Sequence, residues 1–355
     1  MTPAALWERL KAEGLVEGEA PTRERPPSPW YVRAMLGIAG WIGALFLIAF
    51  VGAAFSFILD DTVAAAAGGA ACVAGAFLLF RTLSGNDFAE QFGLAVSLVG
   101  QILIGIGLAN LFQPEAPVFY FAVAAMQAAL VWAVPNFLHR VLTSGGASIA
   151  LALGINQLSL HGLAAPLLCA ALALVWLEPK LWAAGGRLWR PVGYGLVLAL
   201  LLVETFRLFG AGLLLDLTGN EAGWLALYGP LIGRMLTAAV LVWVSIELGR
   251  RSDAGPAIGF PTLAAAAALV FGLVSLAAPG LASAVLVLLL GFAAGNRILA
   301  ALGILALLGF VAHFYYSLHA TLLEKSGILA LTGLVLMAAH FLLLPRAFPP
   351  EADHA

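Results

Sequence analysis

An all-α, polytopic transmembrane helix bundle is the fold class this sequence predicts, and three observations predict it. Hydrophobic residues make up 62% of the 355 positions and charged residues 10%, with a mean hydropathy of +1.01; soluble domains run at roughly 45–50% apolar and about 25% charged. The apolar residues fall into runs of about 20, the length at which a helix crosses hydrocarbon with its backbone hydrogen bonds satisfied internally. The lysines and arginines collect in alternate connections between those runs, as the positive-inside rule requires of a multi-pass chain.

Residues 1–33 are polar. Pro3 to Gly14 (PAALWERLKAEG) predicts a short amphipathic helix, with Leu6, Trp7 and Leu10 on one face and Gly14 as its stop. Pro21, Pro26, Pro27 and Pro29 then impose an extended linker. This is not the layout of a secretory signal, in which a short basic region runs directly into a short apolar one.

Residues 34–344 read as the membrane domain. Twelve apolar segments can be drawn, at 34–59, 62–80, 92–112, 118–135, 141–160, 163–177, 191–214, 225–248, 260–277, 281–294, 298–318 and 326–344. Three are weak: the fifth holds Asn156 and Gln157, the sixth is short and holds Pro166, and the tenth is short and follows Pro279. The expected count is therefore about twelve, within a range of ten to twelve. Burial inside the bundle or local thinning of the bilayer would accommodate the short ones. Residues 345–355 are a tail.

Orientation follows from the basic residues. With the N-terminus in the cytoplasm, Arg9, Lys11, Arg23, Arg25, Arg33, Arg81, Arg140, Lys180, Arg187, Arg190, Arg250, Arg251, Arg297 and Arg346 fall on that side, fourteen in all, against Lys325 alone on the other. Arg207 and Arg234 remain inside segments. Both termini are expected in the cytoplasm.

Tight packing is signalled by Gly37, Gly40 and Gly43 on one face of the first segment and by the Gly229/Gly233 and Gly291/Gly295 pairs, whose spacing lets backbones approach closely. Trp30, Tyr31, Trp182 and Trp189 lie beside arginines, as interfacial residues do. Cys72 and Cys169 sit in mid-segment and read as small buried hydrophobes. No zinc spacing, disulfide framework or basic stripe for nucleic acid is present, so neither a metal, a cofactor nor a nucleic acid is expected.

Charges within the membrane need a reason, and Glu204, Arg207 and Arg234 are the clearest set. Glu204 and Arg207 are three apart and share a helix face. At about 1.5 Å per residue, Glu204, Arg234 and Arg207 lie roughly 18, 20 and 22 Å from the cytoplasmic ends of their segments, a common depth in the outer half of a core about 30 Å thick. Three readings stay open: a buried ion network that fixes helix packing, an anion site that uses the excess positive charge, and a snorkelling Arg207. A second polar group closes the eleventh segment, with His313 facing Tyr316's side and Tyr315 facing His319's, followed by Glu324 and Lys325. Interfacial tyrosines are its ordinary reading. Gln101, Asn110, Gln127, Asn136, Asn156, Gln157 and His161 are scattered amides and imidazole of the kind that join helices. No phosphate loop, nucleophile elbow or paired carboxylates occur, so an enzyme is not expected.

The ends of the chain carry a resemblance. WERLKAEGLVEGEAP and PWYVRAMLGIAGWIGALFLIAFVG near the start, and HFYYSLHATLLEKSGILALTGLVLM near the close, resemble the bacterial membrane family "domain of unknown function 4401"; the middle shares hydropathy and a Gly100-Gln101 pair. The resemblance implies a multi-pass inner-membrane protein whose genetic neighbour is a membrane-anchored envelope protein with a GDYXXLXY motif. It marks Trp41, His313, Tyr315, Tyr316, Thr321, Lys325 and Ser326 as family-motif positions. Two functions compete on this evidence: a non-enzymatic membrane subunit that works with such an envelope partner in the lipid bilayer, and a small-solute, anion-type transporter or channel built on the Arg/Glu set.

The charge asymmetry makes a direct prediction. Reporter fusions after Asp61, Pro114, Asn220 and Ala320 should read external, and those after Asn86, Gly185, Asp253 and Arg346 cytoplasmic. A cytoplasmic signal at Asn220 would break the twelve-segment scheme.

Overall fold

A computed structural model describes residues 3–16, 18, 30–54, 61–83, 86–209, 224–251, 260–317, 323 and 337. Among them are twelve helices and no strand: α1 (Pro3–Ala12), α2 (Trp30–Ala54), α3 (Thr62–Thr82), α4 (Asp87–Phe112), α5 (Pro117–Ala133), α6 (Phe137–Gln157), α7 (Ala164–Leu177), α8 (Pro179–Phe209), α9 (Trp224–Arg251), α10 (Phe260–Ser275), α11 (Leu281–Ala293) and α12 (Arg297–Ser317). The protein is an all-α, multi-pass membrane bundle. Helices α2 to α12 occupy the first eleven apolar segments in order, and the twelfth, residues 326–344, lies outside the described residues. By length and apolarity, six of these helices can cross a membrane: α3, α4, α6, α8, α9 and α12.

Helix ends follow local chemistry. Gly14 adopts φ +70° and closes α1, while the Leu15 N–H reaches back to the Leu10 carbonyl at 3.0 Å, a glycine-dependent stop. Asp61, Asn86, Asn136 and Asn296 cap α3, α4, α6 and α12, each accepting first-turn N–H groups on its side-chain oxygen. Asn136, expected as interhelical glue, is thus a cap. The expected connection before residue 191 is helical instead. Helix α8 begins at Pro179 and carries a break at Gly185 (φ −165°, ψ 47°). Proline suits the first helical position, and Trp182 anchors this stretch by donating from Nε1 to the Val175 carbonyl at 2.7 Å.

The core forms where α7, α8, α9 and α11 meet. Cys169, Leu172, Ala173, Val197, Leu200, Leu241, Leu286, Val287 and Leu290 are fully buried there. Helices α7 and α11 have 14 and 13 residues, or about 21 and 20 Å, short of a core about 30 Å thick. Most of their residues are buried against neighbouring helices, while Leu167 and Leu174 of α7 and Phe292 of α11 are exposed.

Close crossings locate the glycines that matter. A Cβ on Gly100 of α4 would lie 2.6 Å from the Gly69 carbonyl oxygen of α3 and 2.9 Å from the Cys72 Cβ. Gly40 brings α2 against Gln91 and Phe92 of α4. Two expectations change. Gly229 and Gly233 receive the His161–Gly162 backbone of the α6–α7 turn rather than another helix. Gly295 lies past the end of α11 at φ +59° with open space around it, so only Gly291 of its pair meets a helix, at Ala300 of α12.

Contacts join ends that the charge rule assigns to the same side. Arg140 at the start of α6 reaches the Arg187 carbonyl of α8, Arg251 at the end of α9 reaches Leu177 at the end of α7, and Asn296 before α12 bonds Tyr194 near the start of α8's membrane portion. At the opposite end Gln157 of α6 donates to the Glu115 carbonyl before α5.

The α3–α4 crossing generates a matched pair of variants. Gly100→Ala should lower the melting temperature in detergent, with a cost on the order of 1–3 kcal/mol because backbone must move. Gly105→Ala, on the same helix with nothing within 4 Å of an added Cβ, should be neutral or slightly stabilising. Equal melting of the two would show that the crossing is looser than described.

Candidate functional site

Glu204 of α8 is 3% exposed. Its Oε1 accepts a hydrogen bond from Ser283 Oγ at 2.7 Å, and its Oε2 lies 3.5 Å from Arg207 Nη1, one turn along. Ser283 is also the acceptor for the Cys169 thiol at 3.8 Å, so α7, α8 and α11 converge on one carboxylate. Ser283 stands in the first turn of α11, where the helix presents its positive end and favours a negative charge.

Arg234 of α9 behaves differently from expectation. Its Nη1 donates to the Leu276 carbonyl at 2.8 Å, just past the end of α10. It is within electrostatic reach of Arg207 and Glu204, yet the ion pair formed in this set is Glu204–Arg207. The three-membered network is therefore a pair plus a cap. The reason lies in Pro279: Leu276 begins a tight turn, and the proline three residues on has no N–H to offer its carbonyl. A cation at a helix C-terminus is also favoured by the dipole.

The same repair recurs. Pro191 lies inside α8 and leaves the carbonyl of Arg187, four residues earlier, without its helical donor; Arg140 Nη1 supplies one at 3.2 Å. Arg140 Nε donates to the Val131 carbonyl at 2.9 Å, in the last turn of α5, where Pro135, four residues on, again lacks an N–H. Arg251 donates from Nη1 to the Leu177 carbonyl at 2.5 Å, just before Glu178-Pro179, while its Nε pairs with Glu247 at 2.8 Å. None of these three arginine-to-carbonyl links was legible as such in the sequence.

A second buried polar cluster joins α4 to α6. Ser97 Oγ lies 2.8 Å from His139 Nε2, and Gln101 Nε2 lies 3.2 Å from both Ser97 Oγ and His139 Nε2. His139 is fully buried, packs edge-on to Phe80 with ring centroids 6.1 Å apart, and leaves Nδ1 without a partner among the described residues. Sequence reasoning singled out Gln101 but not Ser97 or His139. The pattern that could have found them is Ser97/Gln101 at i, i+4 on one face.

Asn156 bonds His161 at 2.8 Å within the α6–α7 turn. Tyr315 and Tyr316 stand at the end of α12 with ring centroids 5.5 Å apart, Tyr316 80% exposed; His313 lies one turn before Tyr316, half-buried. Trp41 is 40% exposed on α2. His319, Thr321, Lys325 and Ser326 lie outside the described residues. Among the described residues no group of three or more His, Cys, Asp or Glu is placed to hold a metal ion, and Cys72 and Cys169 are free thiols.

The family model described as "Domain of unknown function (DUF4401)" matches residues 29–346. No curated protein and no solved structure gives a match.

The Glu204 geometry sets an expectation for stability. Glu204→Ala removes the acceptor of Ser283 and strands Arg207, and breaking a buried pair in this way typically costs about 3–5 kcal/mol. Ser283→Ala, which removes one hydrogen bond to a charged group, should cost less, about 1.5–3 kcal/mol. Thermal unfolding in detergent checks the order, and a Glu204→Ala protein that melts with the wild type contradicts the assignment.

Proposed function

The chain belongs to the family described as domain of unknown function DUF4401, and from that membership we propose that it is a non-enzymatic inner-membrane subunit that works with a second, membrane-anchored envelope protein of the GDYXXLXY-motif type. Both termini lie in the cytoplasm in this reading, which the fourteen-to-one charge asymmetry supports. The observation that carries the non-enzymatic role is the use made of the buried charges. Glu204 is held by Ser283 and Arg207, and Arg234 by the Leu276 carbonyl, so the set ties α8, α9, α10 and α11 together and its charges are taken up by structure. The exposed Tyr316 beside Tyr315 is the described family-motif position best placed to meet a partner.

One observation favours a second reading. Arg234 Nε is buried without a partner among the described residues, and a transported small anion would supply one.

A single preparation separates the two. Mild solubilisation from the native membrane, followed by mass spectrometry of the purified complex, should recover an envelope protein in fixed stoichiometry. Tyr316→Ala should reduce that recovery severalfold without changing the melting temperature. The same protein in liposomes should move no anion down an imposed gradient. Uptake that is abolished by Arg234→Gln in a folded protein, with no partner recovered, would replace the subunit reading with the transporter.

A further inference from the structure

A cleft of about 710 Å³ opens where the end of α7, the start of α8, the end of α9 and the α11–α12 turn come together. Arg190, Arg251 and Arg297 line it, with Trp176, Trp182 and Asn296, and among the described residues no carboxylate lines it. These are the ends that the charge rule places on the cytoplasmic side, so the cleft lies at the level where helices leave the membrane.

One wall is fixed in advance. Arg251 is held by Glu247 and by the Leu177 carbonyl, Trp182 by the Val175 carbonyl, and Trp176 packs on Trp182 with ring centroids 5.0 Å apart. Asn296 caps the first turn of α12 and donates to Tyr194, so the positive end of α12 is presented at the cleft. Glu247 offsets Arg251. Arg190 and Arg297 are exposed and have no ion-pair partner among the described residues, which leaves two uncompensated guanidinium forks facing one space. Guanidinium forks match phosphate oxygens in geometry as well as charge. Paired tryptophans beside them give an amphipathic wall of the kind found at the headgroup level of a bilayer.

We propose that this cleft binds a phosphate-bearing anion through Arg190 and Arg297, with the phosphodiester headgroup of an anionic phospholipid as the ligand class. The volume favours the headgroup over a bare phosphate ion, because 710 Å³ lies within the range of pockets that enclose whole organic ligands. The inference is independent of the subunit reading above.

The test uses the full-length protein in detergent, stripped of lipid. Native mass spectrometry with added phosphatidylglycerol or phosphatidylcholine measures retained lipid. The wild type should bind phosphatidylglycerol at least tenfold more tightly than phosphatidylcholine. The Arg190→Gln/Arg297→Gln double variant should lose that preference at least tenfold, and the two single variants, both at exposed positions, should each lose part of it. Arg187→Gln removes an arginine from the same end of the bundle but outside the cleft, and should retain it. In a second arm, inorganic phosphate is titrated in a thermal-shift assay. A rise in melting temperature that disappears in the double variant, without any lipid preference, would keep the phosphate site and assign it a soluble ligand. The proposal is overturned if neither arm depends on Arg190 and Arg297, or if Arg187→Gln loses as much lipid preference as the double variant.

Discussion

A backbone carbonyl that a proline leaves without its helical donor needs another, and in this bundle arginines supply several of those donors at helix ends and bends. Prolines at 135, 179, 191 and 279 each remove a donor where a helix bends or ends. Beside three of those breaks stands a guanidinium that donates instead, Arg140 to Val131 and Arg187 and Arg234 to Leu276. At Pro179 the Trp182 indole serves the Val175 carbonyl, and Arg251 reaches Leu177 next to it. Arginine suits the task better than lysine because its planar fork can serve two carbonyls at once. Arg140 does so, and thereby links the end of α5, the start of α6 and the start of α8.

The rest of the architecture follows from this constraint. Side chains from neighbouring helices close the breaks, and the short helices α7 and α11 pack into the core with α8 and α9. The α10–α11 turn carries matched charges, with Arg234 at the negative end of α10 and Glu204 close to the positive start of α11. The charges inside the bundle are thus complementary to helix ends first and to one another second. Arg190 and Arg297, which have no ion-pair partner among the described residues, lie apart from these helix ends, in the cleft between α8 and the α11–α12 turn.

Much of this was legible in the sequence, for reasons that differ by residue. Hydropathy and punctuation located α2 to α12 because apolar runs and prolines are written directly in the chain. Glu204 and Arg207 were legible as a pair because their partnership is local, three residues along one helix. Arg234 stands within electrostatic reach of that pair, but its hydrogen-bond partner is a carbonyl, and carbonyls have no letter. Arg140 and Arg251 were read as markers of sidedness, and they are also structural donors. Ser97 and Ser283 stayed hidden because helical serines usually bond the preceding turn, as Ser148 and Ser245 do here. The Gly100-Gln101 pair turned out to carry two separate duties, the α3–α4 crossing and the bond to His139.

The most direct test of the repair mechanism is a double-mutant cycle between Arg140 and Pro191. Pro191→Ala restores the N–H that the Arg187 carbonyl lacks, so the guanidinium becomes partly redundant. The account predicts that Arg140→Met lowers the melting temperature of the wild type, and lowers that of the Pro191→Ala protein by clearly less, with a coupling of about 0.5–3 kcal/mol. Strictly additive effects, with Arg140→Met equally damaging in both backgrounds, would contradict it.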